Sequence, residues 1–261
     1  MTDRVTIRID AGVADVRFNR PDKMNALDPA MFAGIEAALA QLRETPGLRA
    51  VVLSGEGRAF CAGLDMASFA NIGADAGDIT DRTHGVSNLF QYVSMGWREL
   101  PVPVIAAVHG VAFGGGFQIM LGSDIRIAAP DTRLSIMEIK WGLVPDMGGI
   151  ALLRTLARDD VARELTYTGR QVSAEEAVAL GLVTRVSADP MAEAMALARE
   201  IAGKSPDAVR GAKRLFNAAA DDDAAAILVA ESVEQVKVMR TPNQVEAVMA
   251  NMQKRAPVFR D

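Results

Sequence analysis

Apolar residues alternate with polar ones from Val5 to Ile9 and again from Val13 to Phe18, around Asp10-Ala11-Gly12. Period-two runs flanking a turn predict a β-hairpin. The period changes at Asp28-Pro29, a capping residue followed by proline at the first helical position. Phe32, Ile35, Leu39 and Leu42 then recur at helical spacing, and Gly47 ends the run. Residues 50–53 form a short, wholly apolar strand. Val86, Leu89, Val93, Trp97 and Leu100 predict another helix, stopped by Pro101 and Pro103. Residues 104–108 read as a buried strand running into a glycine-rich turn, 110–116. Strand character returns at 124–128 and 133–136.

Two stretches have a different texture. Residues 66–85 are rich in Ala, Asp and Gly with little periodicity, and read as a surface loop or frayed helix that could serve as a lid. Beyond about residue 145 the chain reads as almost all helix. Ser173-Ala174-Glu175-Glu176 has the pattern of a capping box. Residues 190–254 divide into three or four helices at Pro206, Asp221-Asp222-Asp223 and Pro242. The pattern predicts an α/β body over residues 1–195 and a helical C-terminal region over 196–261. The apolar stripes of that region exceed what one body of this size would cover, which points to an oligomer.

Composition narrows the function classes. Of 261 residues half are apolar and 23% charged, enough for a full core. The net charge of −5 argues against a nucleic-acid partner, because phosphate binding needs a basic surface. No apolar run approaches the length of a membrane span. The single cysteine, Cys61, cannot form an intrachain disulfide. The first residues lack the apolar core of a signal peptide, so the expected location is the cytoplasm.

Several familiar chemistries fail. The segment from Ser54 to Phe60 begins like a dinucleotide-binding glycine loop but ends on Phe60 with no helix opening there. The 110–116 run lacks the Lys-Ser/Thr of a phosphate loop. GxSxG and HExxH are absent, and one cysteine makes no thiolate metal site, so no metal is expected. His84 and His109 read as surface or packed histidines.

Three segments remain: Ala59 to Asp65, Ile105 to Gln118, and Met137 to Gly149. Gly114-Gly115-Gly116 opens a helix after a strand, where a ligand can approach bare backbone and the first amides lack internal acceptors. The turn Ala62-Gly63-Leu64 can bring a second amide, and two converging N–H groups make an oxyanion hole. Glu138 could stand beside them as acid/base, its pKa raised by an apolar wall of Ile136, Met137, Ile139 and Trp141. The plainer readings are a tight helix–strand contact for the glycines, a strand-end residue for Glu138, and small core for Cys61.

In this order and spacing the segments resemble the enoyl-CoA hydratase/isomerase (crotonase) family. Asn19-Arg20-Pro21-Asp22-Lys23-Met24-Asn25-Ala26-Leu27 is similar to its opening motif, and Lys254 to Phe259 to its C-terminal ending. Ser123 to Arg126, Thr168-Gly169 and Ala179 to Val183 match other family stretches. The resemblance implies a spiral of strand–strand–helix units followed by helices that build a trimer or a dimer of trimers. It implies an acyl-CoA substrate, with coenzyme A as part of it and no separate cofactor. The amides of Leu64 and Gly115 would hold the thioester oxygen, while Gly63 and Gly114 let the substrate approach. Lys23, Ala26, Ala62, Asp65 and Met66 fall where the family holds coenzyme A, and Lys23 or Lys254 could meet its phosphates. Hydratases of the family carry two glutamates; here Glu138 is kept and Gln118 stands at the other place. Gln118 can orient a water but not deprotonate it, which favours double-bond isomerisation over hydration. A non-catalytic acyl-CoA binder is the reading of another class. Asp146 resembles an aspartate of dienoyl-CoA isomerases; it is either a second acid or a turn residue capping the next helix.

Overall fold

A computed structural model of the protein describes residues 3–65, 67, 78–220 and 224–260. Met66 and most of the irregular stretch that follows it lie outside the described residues.

The hairpin forms as its alternation predicts. Strands β1 (Val5–Asp10) and β2 (Val13–Phe18) pair antiparallel, with Asp10 opposite Val13. Ala11 and Gly12 between them both have positive φ, 47° and 78°, as a tight turn that follows the strand twist requires. Helix α1 (Pro29–Arg43) starts where Asp28 accepts a 2.8 Å hydrogen bond from the Met31 amide. Its stripe of Phe32, Ile35, Leu39 and Leu42 is buried.

β3 (Ala50–Gly55) lies parallel to β2. Both its faces are covered: Val51 and Leu53 join the main core, while Ala50 and Val52 face a second core built with Ala194 and Ala198. A strand buried on both sides reads as an unbroken apolar run rather than an alternating one. Helix α2 (Leu89–Glu99) begins later than its apolar spacing suggests. Asn88 and Gln91 cap each other reciprocally, so Val86 stays outside the helix, 79% exposed.

β4 (Val104–Val108) continues the sheet beside β3. The glycine-rich stretch after it is not one turn: β5 (Val111–Phe113) lies between Gly110 and Gly114. Helix α3 (Gly115–Leu121) follows, then β6 (Ile125–Ala128) and β7 (Arg133–Ser135). Helices α4 (Gly149–Leu153) and α5 (Asp159–Thr168) come next. Helix α6 (Ala174–Ala179) is flanked by two short strands, β8 (Val172–Ser173) and β9 (Arg185–Val186). The reading of everything past residue 145 as helix missed these two-residue strands, which are too short to show a period. Ser173 caps α6, but Glu176 pairs with Arg170 rather than closing the box.

Strands β1-β2-β3-β4-β6-β9 form one sheet and β5-β7-β8 another. From β4 onward the chain steps repeatedly between them, which is the expected spiral. Four helices finish the described chain: α7 (Pro190–Ala202), α8 (Pro206–Ala219), α9 (Ala224–Val238) and α10 (Pro242–Gln253). α7 covers one face of the large sheet, and α1 and α2 contribute to the core on the other. Buried Lys213 of α8 donates to the carbonyls of Trp97 and Val102 and to Asp124, fixing α8 to the body.

Candidate active site

The small sheet carries the site. Two isolated bridges extend it, Cys61 to Ala112 and Leu27 to Leu64. In the second, the Leu27 amide donates to the Gly63 carbonyl at 2.8 Å and the Asp65 amide to the Leu27 carbonyl at 2.9 Å. This alternation turns the Leu64 N–H away from the bridge. Gly63 has φ 89°, and a Cβ there would lie 2.6 Å from the Phe113 carbonyl oxygen and 3.6 Å from the Gly115 nitrogen. Only glycine allows the two turns to meet this closely. Gly115 is the first residue of α3, so its amide precedes the first intrahelical acceptor. Gly114 spends its own amide on the Ser135 carbonyl at 3.0 Å. Among the described residues neither the Leu64 nor the Gly115 N–H has an acceptor in the chain.

The three adjacent glycines have different reasons. A Cβ at Gly116 would strike the Cys61 carbonyl at 2.3 Å, so that position serves packing. At Gly115 it would meet Met147 Sδ at 2.7 Å, and at Gly114 it would lie 3.3 Å from Glu138 Oε1. The carboxyl of Glu138 therefore lies against Gly114, beside the Gly115 amide.

Glu138 opens a 3-10 turn, Glu138–Trp141, just after β7. Burial pushes its carboxyl above the ordinary glutamate value; a hydrogen bond from Gln118 pulls the other way, and the charge of Asp146 adds to the rise. The expected apolar wall is only partly there. Ile136 is buried, but Ile139 and Trp141 are 44% and 51% exposed, because the 3-10 turn swings them outward. Gln118, in α3, is itself buried; its Nε2 donates to Glu138 Oε1 at 2.6 Å. Its Oε1 accepts from the amides of Met147 and Gly149, both at 2.9 Å. Glu138 Oε2 is buried without a hydrogen-bond partner. Asp146 is exposed to solvent, yet the protein crowds it enough that desolvation raises its carboxyl too. It does not cap α4: Gly148 occupies the cap and no side chain fills that role.

Comparison with known proteins settles the lineage. The family model described as Enoyl-CoA hydratase/isomerase matches residues 8–261. The chain belongs to the enoyl-CoA hydratase/isomerase family. A mitochondrial Delta(3,5)-Delta(2,4)-dienoyl-CoA isomerase of Mus musculus is 32% identical over 252 residues, covering 93% of this chain and 77% of the relative. Carnitinyl-CoA dehydratase of Salmonella typhi is 30% identical over 272 residues, covering 100% and 99%. Among solved structures, an enoyl-CoA hydratase from Bacillus anthracis superposes with TM-score 0.90 at 31% identity, covering 98% of both chains. The protein is thus an enzyme of the hydratase/isomerase type with the crotonase fold, and the family acts on acyl-CoA substrates.

Within this hydratase/isomerase frame the other sequence candidates divide. Lys23 is exposed at the end of the 3-10 turn Pro21–Lys23, and Ala26 follows three residues on. Ala62 donates its amide to the Met24 carbonyl at 2.9 Å, which ties the Lys23–Ala26 loop to the turn bearing Leu64. Asp65 is paired with Arg20 at 2.7 Å, and that guanidinium holds its carboxyl below the ordinary aspartate value. Lys254 ends α10, and Pro257 and Phe259 line a cleft with Gly12 and Gly47, at the opposite end of the strands from Gly55. The fold therefore gathers Glu138, Gln118, Leu64, Gly63, Gly114 and Gly115, places Asp146 nearby, and does not bring Lys254 to them within one chain.

Sequence reasoning missed Arg20 and Asn25. Arg20 also donates to the Ala26 carbonyl at 3.0 Å. Asn25, buried with φ 56°, donates to the carbonyls of Glu56 and Ala59. An asparagine between Met24 and Ala26 was the available signal, since asparagine tolerates left-handed backbone. Among the described residues no cluster of His, Cys, Asp and Glu could hold a metal ion, and no helix is long and apolar enough to cross a membrane.

Proposed function

We propose that the enzyme moves a carbon–carbon double bond along an enoyl-CoA thioester, with Glu138 as the proton carrier. Its buried, unpartnered Oε2 is the observation that carries this reading. Oε2 takes a proton from the α-carbon of a 3-enoyl-CoA. The electron pair passes through the α-carbon to the thioester oxygen, which the Leu64 and Gly115 amides receive. Each such donor is typically worth about 100- to 1000-fold in rate. The proton then returns from Glu138 to the γ-carbon, giving the 2-enoyl-CoA with no net change in atoms. A raised carboxyl is a stronger base than an ordinary glutamate, which suits removal of the α-proton, and the dienolate carbon is basic enough to take that proton back.

Hydration asks for more. Water must lose a proton while the α-carbon gains one, which calls for two titratable groups. Gln118 is no base, because its amide nitrogen's lone pair is delocalised into the carbonyl, and its oxygen is already spent on two backbone amides. A second reading is supported by Asp146, whose raised carboxyl lies near enough to Glu138 to raise it as well. It would act as a second acid in hydration or in a dienoyl shift. Coenzyme A enters as part of the substrate, with Lys23, Ala26, Ala62 and Asp65 along its path and Lys254 supplied by a neighbouring subunit of a trimer or dimer of trimers. A product assay on 2-enoyl-, 3-enoyl- and 3,5-dienoyl-CoA tests the ordering. We expect 3-enoyl isomerisation to exceed hydration; vigorous hydration untouched by Gln118→Ala would overturn it.

A further inference from the structure

We infer that Gln118 is a positioning residue that sets both the orientation and the acidity of Glu138 by coupling it to the Met147–Gly149 turn. An amide side chain has a donor end and an acceptor end, and here the surroundings decide which faces which way. The amides of Met147 and Gly149 are donors only, so they fix the Gln118 oxygen toward the turn. Its nitrogen is thereby aimed at Glu138 Oε1, 2.6 Å away. With Oε1 engaged, Oε2 is left as the oxygen that meets substrate. The coupling is tight. A Cβ at Gly149 would come 2.6 Å from the Gln118 oxygen, so the turn lies flush against the side chain. Met147 of the same turn reaches the Gly115 backbone, so one short segment touches the Gln118 clamp and the oxyanion amide together.

The donor also acts on the proton equilibrium. Burial disfavours the carboxylate, and a hydrogen bond donated to it restores part of the loss. Gln118 therefore keeps Glu138 ionised further toward acid than burial alone would allow. The inference rests on Glu138 being the base, and α-proton exchange of hexanoyl-CoA with deuterated water reads that step whatever the final product. Gln118→Met removes both ends of the clamp at similar volume. We expect the exchange kcat to fall about 100-fold, the penalty of a displaced catalytic group, with KM within about threefold of the parent, and the acid limb of the kcat/KM profile to move to higher pH. Gln118→Glu keeps the acceptor for the two amides and changes only the donor. Its acid limb should also rise, because two carboxyl groups then share one proton. A change in KM alone, or acid limbs unmoved in both variants, would overturn the inference. Exchange surviving Glu138→Gln would instead refute the assignment of the base, so the two failures are distinguishable.

Discussion

At the scale of single residues, Glu138 is the test of the site. Glu138→Gln should abolish enolate formation, with a loss of at least about 100-fold in exchange rate, the usual contribution of a placed acid/base. The same change makes a second, independent prediction about stability. A carboxyl whose folded pKa is raised binds its proton more tightly in the folded chain. Its contribution to stability is present below about 4.5, the ordinary value, and is lost as pH rises through the raised one. The variant lacks that titration. Its melting temperature should therefore gain on the parent as pH rises from 4 toward neutrality, and a constant difference across that range would contradict the buried placement. Gln118→Glu belongs here too. By adding a second titratable group it should raise 2-enoyl-CoA hydration relative to isomerisation, measured as the ratio of 3-hydroxyacyl to shifted enoyl product. Glu138 was visible in the sequence as a match to a family position, and Gln118 as a departure at another. The bond between them was not, because a 20-residue separation carries no periodic signal. Nor was the outward swing of Ile139 and Trp141, which depends on a 3-10 turn.

At the scale of elements, helical spacing and caps told most. Asp28-Pro29 and Pro206 placed helix starts correctly, since a cap residue or proline acts locally. β8 and β9 were illegible because two residues cannot show a period and only the sheet around them defines them. α8 is held by a group that sequence patterning would assign to solvent. Lys213 lies in a helix with polar neighbours, yet its amino group is buried against two carbonyls and Asp124, and burial lowers its pKa. Lys213→Met should destabilise the fold by about 3 kcal/mol, since removing one member of a buried pair strands the other. Denaturant unfolding measures it; a change below about 0.5 kcal/mol would show that Asp124, which keeps some solvent contact, manages alone.

At the scale of the molecule, the C-terminal helices leave several large apolar side chains open to solvent. Phe216, Leu228, Val229, Val236 and Met252 are between 62% and 77% exposed. A single chain of this size gains nothing from such a surface in water, and a second copy would cover it. We expect a trimer or dimer of trimers by sedimentation, and Val236→Asp to shift it toward smaller species. A stable monomer at micromolar concentration would count against this. The apolar stripes of 190–254 made that surface legible from sequence, whereas the position of Lys254, far along the fold from Glu138, needed the path of the chain after α10.

The one thiol offers a chemical window on all of this. Cys61 is fully buried between the two turns of the site, its Sγ donating to the Asn25 carbonyl at 3.1 Å, and burial pushes it up to about 12. Thiolate is the species that alkylating reagents attack. The native chain should resist iodoacetamide at neutral pH, and each labelling event should mark a molecule whose Ala62–Leu64 turn has lifted off the Lys23–Leu27 loop. Labelling rate thus becomes a clock for opening at the reaction centre, read by mass without any substrate turnover. A tight acyl-CoA ligand that bridges those turns should slow the clock in proportion to its occupancy.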